Sequence, residues 1–199
     1  MCQCPEAVPQ EKPIAQMNAE HYKMAQSFAI EYGTFLGIAW LITFGFVVGG
    51  LVSGNLLAML AGFASFGLSC LVPFYLAWRF KQHLENGEQV ARLVAWSFAF
   101  LMFTYACMLA AAGHLVYFTY LDHGQLMQVF HTTLFSPEAE AQYKAIGATD
   151  MLATARDQFA MLQSLTPMQI TLALFENNIF ISLLLTIPVA FVARRKAVK

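Results

Sequence analysis

RFKQHLENGEQVAR, residues 79–92, separates two long apolar runs, residues 56–78 and 93–121. A short polar segment with Arg79, Lys81 and Arg92 between stretches of bilayer-crossing length reads as a membrane-side loop whose charge sets which way the molecule faces. Asn86-Gly87 marks the turn inside it. From this loop outward, the chain reads as a membrane protein.

Composition agrees. Hydrophobic residues make up 58% of the 199 residues and charged residues only 12%, with a mean hydropathy of +0.55, outside the range of an ordinary soluble domain. The net charge of -1 and the lack of a basic patch with interleaved aromatics leave a nucleic-acid partner without support. Cys70 and Cys107 sit inside apolar runs and read as small buried hydrophobes. Cys2 and Cys4 have no second pair at zinc spacing, and no metal or cofactor site is expected.

Upstream of the loop, residues 1–24, with Pro5, Pro9 and Pro13, read as a cytoplasmic tail, unstructured to about Met17. The first run, residues 28–51, has the length of about 20 apolar residues that a spanning helix needs; its one charge, Glu31, lies in the first turn. Gly33 and Gly37, Gly45 and Gly49, and Gly50 and Gly54 are each spaced G-x-x-x-G, which admits a neighbouring helix. Ser53, Gly54 and Asn55 make a tight turn into the second run, residues 56–78, so the first two spans are expected to be antiparallel neighbours.

Downstream, residues 93–121 form a third run with Trp96 near one end and Tyr117 and Tyr120 near the other, as in interfacial aromatic belts. Residues 122–165 are the one sizeable extramembrane segment, with five acids against Lys144 and Arg156. Ser136-Pro137-Glu138 opens a helix there. Ala145, Ala148, Leu152, Ala155, Phe159 and Leu162 then describe an apolar stripe, read as one amphipathic helix that covers the outer end of the bundle or lies along the interface, a partner-docking face being the alternative. Thr166-Pro167-Met168-Gln169 is a capping box that starts the fourth run, residues 168–192.

Nine of the eleven basic residues fall before the first run, in the 79–92 loop and in the tail from Arg194. Four spans place these three segments on one side, the cytoplasmic side, and the acidic segment on the other. The expected fold is all-α: an antiparallel bundle of four transmembrane helices forming one domain, residues 25–199, with an extra amphipathic helix between spans three and four.

Glu176, Asn177 and Asn178 are the polar cluster at membrane depth. A carboxylate there must face the bundle, pair, or meet water. His114, near the outer end of the antiparallel third span, and Tyr117 one turn beyond are its expected partners. The alternatives are a fold-fixing contact and a proton or cation site.

In this layout the chain resembles the small four-span bacterial membrane proteins grouped as domain of unknown function family 4199. The resemblance rests on EYGTFLGI at residues 31–38, LAWRFKQHLENGEQ at 76–89, the single long outer segment, and the last span ending ARRK at 193–196. It implies an integral inner-membrane bundle and carries no activity. No catalytic residue is expected: His114, His123 and His131 with Asp122 lack the spacing of a metal-ligand pair on one helix face. Scarce chemistry favours a structural or accessory subunit that meets lipids and either another copy or another membrane protein. A small oligomeric transporter or channel component using Glu176 is the alternative, and a membrane-embedded enzyme the least supported.

Overall fold

The computed structural model describes residues 14–83 and 92–193. Among the described residues there are seven α-helices: α1 Ile14–Ser53, α2 Leu56–His83, α3 Arg92–Val116, α4 Gln125–Leu134, α5 Pro137–Ala145, α6 Thr149–Gln163 and α7 Pro167–Ala193. A π-turn, Tyr117–Leu121, extends α3. Among the described residues, four segments are long and apolar enough to cross a membrane: Tyr22–Ser53, Leu56–His83, Leu93–Leu121 and Pro167–Ala193. The chain is a multi-span membrane protein built as a helical bundle.

The four long helices form a ring in which α1 packs on α3, α3 on α7, α7 on α2 and α2 on α1. The tightest seam, α1 on α3, follows from side-chain size. Ala25, Ala29, Gly33 and Gly37 recur every four residues on α1, and Ala95, Ala99, Ala106 and Ala110 line the facing stripe of α3. Small residues at this period bring backbones close enough for dispersion contacts, which association in lipid depends on. A Cβ on Gly33 would stand 2.6 Å from the Met102 carbonyl oxygen, and one on Gly37 3.1 Å from that of Ala106. Toward the end where α7 stops, Phe80 stacks on Phe98 at 4.0 Å between ring centroids, and Tyr32 meets Phe98 edge-on.

The α1–α2 turn forms as its residues require. Gly54 takes φ +64°, and Asn55 N–H donates to the Gly50 carbonyl (3.1 Å) while Gly54 N–H donates to that of Leu51 (3.3 Å), a Schellman closure. Asn55 Oδ1 then accepts from the N–H groups of Leu57 and Ala58 and caps α2.

Several expectations need correction. Helix α1 begins at Ile14, before the expected end of the unstructured tail, because residues 14–32 contain no Gly or Pro and are rich in Ala, Gln, Glu and Met. Helix α2 likewise runs past Trp78 to His83, so Arg79 to His83 belong to a helix end, where cations suit the macrodipole. Residues 84–91, with the Asn86-Gly87 turn, lie outside the described residues, as do Cys2, Cys4 and the tail from Arg194. Cys70 is exposed on α2 and only Cys107 is buried.

The segment between the third and fourth spans is three short helices rather than one amphipathic helix. Gly147, at φ +69°, ends α5 with the same closure as Gly54: Ala148 N–H donates to Tyr143 O (2.8 Å) and Gly147 N–H to Lys144 O (3.1 Å). The apolar stripe crosses this break, and Leu152 and Phe159 of α6 are the members fully buried. Phe159 packs against His131 and Phe135, the Arg156 guanidinium lies 5.8 Å from the Phe135 ring centroid, and Arg156 pairs with Glu140. The expected N-caps form: Ser136 Oγ accepts from Ala139 N–H, and Thr166 and Gln169 bond reciprocally.

Candidate intramembrane binding site

The four long helices do not close completely. A cavity of about 270 Å³ lies among them in the half of the bundle nearer α4, and all four helices contribute to its wall. Thr43 and Phe44 come from α1, Ser69, Cys70 and Pro73 from α2, His114 from α3, and Asn178 and Ile181 from α7. No lining residue carries a fixed charge.

The polar groups differ in how far they are satisfied. Thr43 Oγ1 donates to the Ala39 carbonyl (2.9 Å) and Ser69 Oγ to that of Phe66 (2.7 Å), so both hydroxyl hydrogens are used within their own helices. His114 is only 6% exposed, and its Nδ1 is sealed from solvent with no hydrogen-bond partner. Its ring rests against Phe44 at 4.4 Å between centroids. A buried polar atom without a partner costs about 1–3 kcal/mol. Pro73, inside α2, has no N–H to give the Ser69 carbonyl four residues back, which frees an acceptor on a residue of the cavity wall.

The expected polar cluster is divided. Asn178 and His114 line the same cavity. Glu176 and Asn177 are exposed on the outside of α7, so Glu176 does not face His114 or Tyr117. The helical period explains the split: consecutive residues turn by about 100°, and α7 directs Asn178 inward together with Leu174, Ile181 and Leu185. Tyr117 is committed elsewhere, its phenol donating to Asp122 Oδ1 at 2.9 Å.

Asp122 is an anchor that spacing alone did not reveal. It is 6% exposed and also accepts from the N–H groups of Gly124 (3.2 Å) and Leu126 (3.0 Å). These bonds hold the turn in which His123 (φ 46°) and Gly124 (φ 79°) take left-handed conformations, tying the start of α4 to the end of α3. The legible signal was Asp122-His123-Gly124, an Asp followed by a Gly, which favours a side-chain-closed turn.

The glycines of the three G-x-x-x-G pairs also divide. Gly33 and Gly37 lie against α3, and a Cβ on Gly50 would stand 2.6 Å from the Met59 amide nitrogen of α2. Gly45, Gly49 and Gly54 have nothing within 4 Å of a built Cβ. The first two face outward, and the third serves the turn instead of a helix contact.

Among the described residues, no group of three or more His, Cys, Asp and Glu side chains could hold a metal ion. Fold and cavity define a four-span integral membrane bundle with an uncharged internal chamber. The family model described as "Protein of unknown function (DUF4199)" matches residues 31–195, and the chain belongs to that family. No curated protein and no solved structure matches it.

Proposed function

We propose that the chain is a structural or accessory subunit of an assembly in the bacterial inner membrane, with both termini cytoplasmic and α4–α6 outside. The observation that carries this reading is the outward face of α1. Gly45 and Gly49 are exposed with open space above them, and Ser53 continues the four-residue spacing. Ile42 and Phe46, 53% and 45% exposed, flank the strip. The same residue pattern that seats α1 on α3 is repeated here with no neighbour, and it suits a helix from another chain. Glu176 and Asn177, outward on α7, add hydrogen-bonding groups at a depth where lipid offers no partner.

A transport route through a single copy has less support, because Glu176 and Asn177 face away from the cavity. Association is tested by crosslinking in native membranes, followed by gentle extraction and identification of companions. Gly49→Leu is expected to abolish the crosslinked species while leaving the melting of the extracted protein unchanged. Survival of that species in Gly49→Leu overturns the reading. Orientation is tested separately in a cysteine-free background, where Glu138→Cys should react with an impermeant thiol reagent on intact cells and Lys81→Cys should not.

A further inference from the structure

We propose that the cavity is a lateral binding site for a neutral lipophile bearing a hydroxyl group, drawn from the bilayer between α2 and α7. Three independent features converge on this chemistry.

The first is the entrance. Among neighbouring long helices, α2 and α7 make the thinnest seam. Cavity-lining residues on both sides of it are also open to the exterior: Phe66 at 60% and Ile181 at 43% exposure, with Cys70 exposed beside them. The opening lies along the apolar flank of the bundle, so what enters is dissolved in the bilayer.

The second is the polar demand of the wall. His114, more than nine-tenths buried, lines the wall, and Asn178 stands on the same wall with a carboxamide that both donates and accepts. A hydroxyl both donates and accepts, so one group meets both needs, which a hydrocarbon chain cannot.

The third is charge. With no fixed charge in the wall, an ionised headgroup would lose its hydration without gaining a counter-ion. This selects a neutral head on an apolar body, such as a long-chain alcohol, over a fatty-acid anion or a zwitterionic phospholipid head. The volume accommodates the head and the first part of a chain, the remainder lying along the α2–α7 opening.

Trp40 lines the cavity and makes the proposal measurable. With Trp78 and Trp96 replaced by Phe, Trp40 is the sole indole of the full-length protein reconstituted in phosphatidylcholine vesicles. Dibromostearyl alcohol is expected to quench its fluorescence saturably, with half-effect at about one-tenth the membrane concentration required of dibromo-octadecane, the advantage of about one net hydrogen bond. Dibromostearate, kept ionised, should quench no better than the alkane. His114→Leu should reduce the tenfold preference for the alcohol to near unity while retaining saturation. Cys70→Phe should obstruct the opening and remove saturation.

Linear quenching that is equal for alcohol and alkane would mean partition into lipid beside a water-filled chamber, and would overturn the site. So would a preference that survives both His114→Leu and His114→Gln. The comparison of three probes on the unsubstituted wall needs no change at His114, so misfolding of a variant leaves the proposal open to refutation.

Discussion

The seam between α1 and α3 and the seam between α2 and α7 are built from the same kind of apolar helix, yet one is sealed and the other opens into a cavity. The difference is where side chains are missing. On α1 and α3 small residues coincide at helical spacing, and backbone meets side chain with no room for a methyl group at Gly33. On α2 and α7 the positions Ser69, Pro73, Asn178 and Ile181 line the gap between the helices without filling it. In lipid, where burial against another helix brings no hydrophobic gain, closeness is set by such local shape.

Four substitutions test this contrast, and all are read as unfolding of the purified protein in one detergent. Gly33→Leu puts a branched side chain into the Met102 backbone and Tyr105 Cβ, and should destabilise by about 3 kcal/mol. An unaffected midpoint would break the account of the sealed seam. Gly62→Leu meets Val47, whose Cγ2 lies 2.7 Å and amide nitrogen 3.0 Å from a built Cβ; a loss of about 2 kcal/mol is expected, because the Val47 side chain yields partly. Ser69→Leu adds volume on the cavity side and should change stability by less than about 1 kcal/mol, the filled space offsetting the lost hydroxyl bond. If it costs as much as Gly33→Leu, the α2–α7 seam is as tight as its counterpart. Gly49→Leu should alter stability by no more than about 0.5 kcal/mol, since nothing lies within 4 Å.

Much of this architecture was legible from residues alone. Span number follows from apolar length, and the caps at Ser136 and Thr166 from short-range rules that tertiary contacts do not override. What periodicity could not decide was direction around each helix axis. Gly33 and Gly45 have the same local pattern, but one faces α3 and the other faces outward, because that choice rests on where α3 sits. Glu176 illustrates the same limit: its charge argued for an inward place, while α7 is oriented by Thr171, Asn178, Ser182 and Val189 on its inner face. The break at Gly147 was within reach of sequence, since a glycine between two helical stretches is a stop signal, but the apolar stripe continues in phase across it. The anchor at Asp122 was nearly out of reach, because its Tyr117 bond depends on the wide turn that ends α3.

The unequal connections of the ring also set an order in time. Helices α1 and α2 are joined through Gly54 and Asn55, so they can pair as a hairpin once both have been synthesised. Helix α3 then finds its glycine-lined seat on α1. Helix α7 follows only after residues 122–166, and closing so long a connection carries the larger entropic cost. Closure entropy therefore favours assembly from the amino-terminal side, in the direction of synthesis. The chamber, whose wall draws on all four long helices, is complete only with α7 in place.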